Sequence, residues 1–317
     1  MTHSLLADIG GTNARFAVVD EKGAVSRIKI YAVRENPTLM GALESYRKEE
    51  CADLSIKAVA MAIAGPILGD RVPLTNSDWV CDKTEIANAV GTPHVFILND
   101  FEAIAVAIGS MKAEDTIVLQ TGQPLDFAPR LVMGPGTGLG IAALKPVQGG
   151  GFEAIRTEGG HVRYAPANDR EHQMIRLLSR ELSFVSAEDL ISGPGIVNLY
   201  KANCMLVGEA PELSDPAAIV QASREGNPLC KQVLGDFAAI FGSVASQMAL
   251  SYIALGGVYL TGGVLEKLGA DFDQSRFLER FATNPKMASL LARAPVYRVK
   301  ASIPAFEGLE RVVGLLL

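Results

Sequence analysis

The residues best suited to chemistry open the chain. Asp8-Ile9-Gly10-Gly11-Thr12-Asn13 lies between two apolar, β-like runs at 5–9 and 16–19, which reads as a strand, a tight turn and a returning strand. Gly10 and Gly11 have no Cβ, so their N–H groups can approach an anion closely, and Thr12 and Asn13 add side-chain donors beside them. Asp8 would repel bare phosphate, but its carboxylate becomes favourable once a Mg²⁺ ion with its waters lies between the two. The pattern points to a metal–nucleotide site. An ordinary glycine hairpin with an acidic neighbour satisfies the same residues.

A second glycine turn, Gly134-Pro135-Gly136-Thr137-Gly138-Leu139-Gly140, repeats the design, with strand-like runs at 131–133 and 141–144. Pro135 stiffens it and removes one N–H donor. Two common nucleotide motifs are excluded. No Gly-Lys dipeptide exists for a P-loop, and the third glycine of G-x-G-x-x-G falls on Leu139 or Ile141. With no H-E-x-x-H pattern, His161 and His172 form no recognisable zinc pair. Asn99-Asp100 follows the apolar run 94–98 directly and precedes an apolar helix at 101–108. That is the carboxyl end of a buried strand, where open α/β sheets bind ligands. An aspartate there is ionised at neutral pH and can accept a hydroxyl proton. A helix N-cap is the competing reading, and one pair of residues can serve both ends.

The elements that must hold these residues follow from periodicity and capping signals. After the first hairpin, 25–33 reads as a third strand, and Asn36 caps a helix with Pro37 at its first position. The continuous apolar run 56–64 has the look of a buried parallel strand, and Asp82 with Glu85 starts a helix through Val90. One α/β domain is complete by about residue 110. In the second set, helices are expected at 170–181, from Ser186 with Asp189 three residues on, from Pro194, from Asp215-Pro216 and over 228–254. A strand at 258–260 ends in Thr261-Gly262-Gly263 before another helix, and the tail 306–317 begins amphipathic. No long linker separates the halves, so they should be joined closely around a cleft.

Bulk properties agree with an ordinary globular protein. At 317 residues the chain exceeds one comfortable core. A formal charge of −6 gives no basic excess to attract nucleic acid or an anionic membrane. Cys51, Cys81, Cys204 and Cys230 are too dispersed for a C-x-x-C site and are expected as reduced, buried thiols. Asp8 interrupts the first apolar run, which argues against a secretory signal, and the longest nearly apolar run, 58–68, falls short of the ~20 residues of a bilayer span. A cytoplasmic location is the expectation.

The motifs Asp8-Ile9-Gly10-Gly11-Thr12-Asn13-Ala14-Arg15, Leu98-Asn99-Asp100-Phe101, Gly136-Thr137-Gly138-Leu139-Gly140, Glu158-Gly159-Gly160-His161 and Leu260-Thr261-Gly262-Gly263 stand in the order and spacing of bacterial ATP-dependent glucokinases. The chain resembles that family along essentially its whole length. Each motif is common alone; five in order are specific. The family belongs to the sugar kinase, Hsp70 and actin superfamily. The resemblance therefore implies an α/β, two-domain actin-like ATPase (ribonuclease H-like) fold with a central cleft. A small domain would span 1–110, completed by a C-terminal helix at about 301–317, and a large domain 111–300.

The resemblance also implies a reaction, ATP + D-glucose → glucose 6-phosphate + ADP, dependent on Mg²⁺, with domain closure that expels water. ATP binding would fall to Ala7, Asp8, Ile9, Gly10, Gly11 and Thr12 and to Gly136, Thr137 and Gly138, with Gly262 and Gly263 against the adenosine. Asp8 would hold the Mg²⁺ shell through water. Asp100 is implied as the catalytic base on the 6-hydroxyl, and Asn99, Asp100, Glu158, His161 and Glu188 as the sugar-binding set. The two glutamates can each accept from adjacent hydroxyls, and a neutral histidine can donate or accept. Without the resemblance, Glu188 reads as an acid in the first turn of a helix and His161 as a turn histidine.

ROK sugar kinases carry a cysteine-rich zinc motif after the histidine, which is missing here, so the likeness is to the non-ROK group and His161 is expected to touch sugar rather than metal. The implied partners are glucose, ATP and a second copy in a homodimer, with no nucleic acid and no membrane. Three rivals stand beside this reading. The first is a kinase for another hexose such as mannose or fructose. The second is a sugar-responsive regulator, for whose DNA-binding helices the first strand, starting by about residue 4, leaves no room. The third is an actin-like or chaperone-like ATPase, which has no use for Glu158, His161 and Glu188.

Overall fold

A computed structural model describes residues 2–74, 77–300 and 304–316. The chain divides into two compact units, Met1–Ser110 with Ile303–Leu317, and Met111–Ser302. The start of the expected C-terminal helix, 301–303, and its last residue, 317, lie outside the described residues.

The first unit begins with an antiparallel meander, β1 (Thr2–Ile9), β2 (Asn13–Asp20) and β3 (Val25–Ala32). Helix α1 (Leu39–Glu50), β4 (Ser55–Ile63), the small ribbon β5 (Arg71–Pro73) and β6 (Val80–Asp82), α2 (Lys83–Val90), β7 (Val95–Asn99) and α3 (Asp100–Ile108) follow. The sheet order is β3-β2-β1-β4-β7, with β1, β4 and β7 parallel. Strand alternation divides β4 cleanly. Val59, Met61 and Ile63 join the core that contains α1, while Ala58, Ala60 and Ala62 face the cluster holding Phe306, Leu309, Val312 and Val313 of the C-terminal helix Pro304–Leu316.

Small side chains on that second face let the C-terminal helix lie close. A Cβ on Gly308 would overlap the carbonyl oxygen of Ala103 in α3. Gly308→Val should therefore destabilise the protein by about 1–3 kcal/mol or more, because the obstacle is backbone and cannot rotate away. A lowered urea midpoint with an unchanged slope checks this. Wild-type stability in the variant would show that the helix does not dock here.

The cap of α1 differs from expectation. Thr38, not Asn36, is the N-cap, its hydroxyl accepting from Gly41 N–H at 3.0 Å. Asn36 instead closes the preceding 3₁₀ turn, its amide donating to the Ala32 carbonyl and its own carbonyl accepting from Trp79 Nε1. Pro37 then lies before the cap rather than in the helix.

The second unit carries β8 (Thr116–Gln120), β9 (Arg130–Pro135), β10 (Leu139–Pro146), β11 (Phe152–Arg156), α4 (Asp169–Leu178), α5 (Gly193–Val207), α6 (Pro216–Arg224), α7 (Pro228–Tyr252), β12 (Gly257–Leu260), α8 (Gly263–Leu268), α9 (Gln274–Phe281), α10 (Ala288–Arg293) and β13 (Val296–Val299). Its sheet order is β11-β10-β9-β12-β13-β8. The first five strands repeat the plan of the first unit: a three-stranded antiparallel meander followed by two strands parallel to its first. Strand β8 is added antiparallel to β13.

Helix α7 is long and apolar enough by composition to cross a bilayer, yet 78% of that apolar stretch is buried inside the unit. Phe237 and Phe241 on α7 pack with Phe277 and Phe281 of α9 to form the aromatic centre of this core. All four cysteines are free and buried.

Candidate functional site

In the first unit the register of three parallel strands brings the candidate residues to one edge. Ile9 of β1 pairs with Ile63 of β4, and Ile63 with Asn99 of β7. The turn after Ile9 and the helix start at Asp100 therefore emerge level, two strands apart, or ~10 Å at the usual strand spacing. Gly10 N–H closes the turn on the Asn13 carbonyl at 3.0 Å, so it is spent on the hairpin. The N–H groups of Gly11 and Thr12 have no acceptor among the described residues. Neither Gly10 nor Gly11 has a positive φ, and a Cβ at position 10 would meet only ordinary contact at 3.5 Å. Backbone conformation does not demand glycine here.

Asp8 lies across from Arg15 in the hairpin, with Oδ2 3.4 Å from Nη1. Burial pushes its carboxyl upward and the Arg15 guanidinium opposes that shift. A Mg²⁺ ion carried on nucleotide phosphates keeps most of its waters and needs one or two protein carboxylates rather than a cage. The described residues hold no cluster of three or more acidic, His or Cys ligands, and a single half-buried carboxylate beside the Gly10-Gly11 turn fits that smaller demand.

Asn99 is the N-cap of α3. Its Oδ1 accepts from the N–H groups of Phe101 and Glu102, while Glu102 returns the bond to Asn99 N–H in a full capping box. Its Nδ2 also donates to the Gly65 carbonyl at 3.0 Å. Its second amide hydrogen has no acceptor among the described residues. Asp100, half-buried, opens the helix with Oδ1 accepting from Phe101 N–H at 2.8 Å.

In the second unit the glycine turn is shorter than its sequence suggests, because β9 runs through Pro135 and β10 begins at Leu139. Gly136-Thr137-Gly138 alone makes the bend, closed by Gly136 N–H to the Gly138 carbonyl at 2.8 Å. The N–H groups of Thr137 and Gly138 have no acceptor among the described residues. Glu158, His161 and Glu188 gather beside this turn: His161 Nε2 lies 3.6 Å from Glu158 and Nδ1 lies 3.9 Å from Glu188. Glu188 Oε2 accepts from Leu139 N–H at 2.7 Å. Glycines enforce the packing, since a Cβ on Gly160 would overlap the Leu139 carbonyl and one on Gly138 would overlap the Glu188 carboxylate.

No helix forms from Ser186. Ser186 and Asp189 do exchange bonds as a capping pair, but the N–H groups of Ala187 and Glu188 go to the carbonyls of Val162 and Gly160. With its donors committed to a neighbouring segment, the stretch stays a turn and fixes Glu188 against it. Gly262 is structural: its φ is +100°, and a Cβ would come within 2.5 Å of the Pro135 carbonyl. Gly263 has open space around it. It borders a cavity of about 650 Å³ that includes Gly136 and Thr137 and is walled by Pro194, Pro216, Val220, Val264 and Leu268. Size and apolar walls suit a nucleoside. These wall residues escaped sequence reasoning, because Pro194 and Asp215-Pro216 signalled only helix starts.

Two sheets of one plan, each with a glycine turn at its first hairpin, define the actin-like ATPase fold used by sugar kinases. A family model described as Glucokinase matches residues 5–314. A glucokinase of Paramagnetospirillum magneticum is 37% identical over 310 residues, covering 98% of this chain and 97% of its own. The crystal structure of a glucokinase from an Antarctic psychrotroph superposes with a TM-score of 0.87 at 31% identity, covering 100% of this chain and 99% of that one. The glucose complex of the glucokinase from Balamuthia mandrillaris, 22% identical, shares the fold with a TM-score of 0.82 over 98% of this chain and 93% of that one. The chain belongs to the glucokinase family, a family of ATP-dependent hexose kinases.

Proposed function

We propose that this chain transfers the γ-phosphoryl group of ATP to the 6-hydroxyl of D-glucose. The observation that carries the reading is the strand register Ile9, Ile63, Asn99, which sets Asp100 on the same sheet edge as the Asp8 turn. Asp100 is the base: it orients the 6-hydroxyl and accepts its proton as the phosphorus–oxygen bond forms, late in a loose transition state. The open N–H groups of Gly11 and Thr12, and those of Thr137 and Gly138, receive phosphate oxygens. Asp8 would hold Mg²⁺ through water, and that ion would offset charge on the phosphates. Ala7, Ile9 and Gly10 shape the first turn, while Gly263 and the cavity beside it take the adenosine, with Gly262 keeping that corner close.

Glu158, His161 and Glu188 read the sugar hydroxyls, and Asn99 adds its spare amide hydrogen. Each hydroxyl both donates and accepts, so an epimer that leaves one of these groups unpaired is rejected. A cytoplasmic location, a homodimer and a small domain completed by the C-terminal helix belong to the same reading, supported by likeness to the family.

A coupled assay against glucose, mannose and fructose with Mg-ATP tests it. Glucose should be the preferred acceptor, and His161→Ala should raise its KM tenfold or more while the KM for ATP changes far less. ATP hydrolysis indifferent to every hexose would overturn the proposal.

A further inference from the structure

Glu188 has two jobs pulling on one carboxylate, and they concern different substrates. Its Oε2 is committed to Leu139 N–H at 2.7 Å, at the exit of the Gly136-Thr137-Gly138 turn. Its Oε1 faces His161 Nδ1 at 3.9 Å, on the side of the sugar-reading cluster. The carboxylate is less exposed than its partners, 31% against 52% for Glu158 and 61% for His161. Its backbone is held as firmly as its head: Glu188 N–H donates to the Gly160 carbonyl, and its carbonyl accepts from Ser192 Oγ at 2.8 Å. Ser192 caps α5, whose first residue, Gly193, donates its N–H to the Gly136 carbonyl at 2.8 Å. A closed circuit thus runs from the sugar-side residues through Glu188 and Ser192 to both ends of the phosphate turn.

The glycine at position 138 is part of the same device. Its φ is not in the left-handed region, so no backbone demand explains the lack of a side chain. What a Cβ would strike is Glu188 Oε2. Gly138 is therefore bare where the carboxylate must lie against the turn.

We propose that Glu188 is a positioning residue that couples the two substrates. A sugar hydroxyl donating to Oε1 immobilises the carboxylate, which pins Leu139 N–H through Oε2 and presets the Thr137 and Gly138 N–H groups for phosphate. Sugar hydroxyls also disperse a negative charge that otherwise faces incoming phosphate oxygens. Both effects have the same sign. Glucose tightens nucleotide binding, and by linkage nucleotide tightens glucose by the same factor. This inference rests on the glucokinase reading of the site.

The test is equilibrium binding of a non-hydrolysable ATP analogue with Mg²⁺, by calorimetry, with and without saturating glucose. In the unaltered protein glucose should tighten the analogue at least fivefold. Gly138→Ala should bring that ratio close to one, by displacing the carboxylate from the turn, while glucose alone still binds, more weakly because the displaced carboxylate also serves the sugar. Glu188→Asp, too short to span both partners, should lose the coupling as well, whereas Glu188→Gln, which keeps an acceptor for Leu139 N–H, should bind glucose more weakly yet retain part of it. Circular dichroism and the thermal midpoint confirm that each variant is folded. Should Gly138→Ala misfold, Glu188→Asp decides the matter alone. A ratio near one in the unaltered protein, or an undiminished ratio in Gly138→Ala and Glu188→Asp, overturns the coupling. No glucose binding by the unaltered protein would instead overturn the functional reading beneath it.

Discussion

Asp100→Asn should cut kcat for glucose phosphorylation by a factor on the order of 10²–10⁴, the usual worth of a positioned general base, with the KM for glucose changed by less than about fivefold. The asymmetry follows from what the side chain does at rest. Its Oδ1 accepts from Phe101 N–H, a bond that an asparagine oxygen reproduces. Helix α3 is started by Asn99 and Glu102, which the substitution leaves intact. The fold should thus survive, and what disappears is the acceptor for a proton released only as the new bond forms. Such a loss lowers kcat and kcat/KM together. Asp100→Ala should give a similar rate and a slightly lower stability, since it also forfeits the bond to Phe101. Steady-state kinetics on both variants decide the point. Turnover within a factor of three of the unaltered protein would remove Asp100 from the chemistry and leave it a helix-start residue.

The contrast between the two units shows which features a linear sequence carries. Apolar runs and small-residue content were enough for β1, β2 and β4, because the central residues of each are buried on both faces and largely apolar whichever way they point. Strand β11, with the pattern intermediate, exposed, intermediate, intermediate, exposed, and the four-residue β13 offer no such contrast, and both went unread. So did α9, whose apolar face is only Phe277, Leu278 and Phe281.

The site divided along similar lines. Glycine turns are local, so Gly10-Gly11 and Gly136–Gly138 were visible as candidates. The convergence of Glu158, His161 and Glu188 was not, since it depends on the segments 157–163 and 185–189 sharing backbone hydrogen bonds, and only family resemblance supplied it. The same shared bonds explain why Ser186 starts no helix. A capping pair names where a helix can begin, but the ladder must still be free to form.

The largest stability effect is expected away from the reacting groups, at Arg280. This residue on α9 pairs with Glu171 on α4 at 2.6 Å and donates to Ser243 Oγ on α7 at 2.6 Å. Glu171 is 4% exposed and also accepts from Tyr164 OH and Ala167 N–H. Burial alone would raise its carboxyl, yet the bonds from Arg280, Ala167 and Tyr164 outweigh that and hold it below the ordinary glutamate value. A carboxyl depressed in the native state lends stability above the unfolded-state value, and that contribution is lost as pH falls through the lower native one.

Arg280→Leu strips out the main counter-charge and leaves a buried anion, which should cost about 3–5 kcal/mol at neutral pH. The pH slope should then reverse near the acid end. With burial no longer outweighed, Glu171 titrates above its unfolded value, so acidification neutralises it and narrows the deficit between pH 7 and pH 5. Glu171→Gln placed on top of Arg280→Leu should recover much of the loss, because the uncompensated charge is gone while Tyr164 and Ala167 keep an acceptor. Urea unfolding of the three proteins at both pH values tests the argument, and a deficit that is the same at pH 5 and pH 7 would refute it. The consequence reaches the site through Tyr164, three residues beyond His161, whose hydroxyl is fastened by Glu171 and whose N–H is fastened by the Val185 carbonyl. Loosening that anchor should raise the KM for glucose before it changes the KM for ATP, since the released segment carries His161, which the proposed function places on the sugar, while the Gly136–Gly138 turn keeps its bond from Gly193.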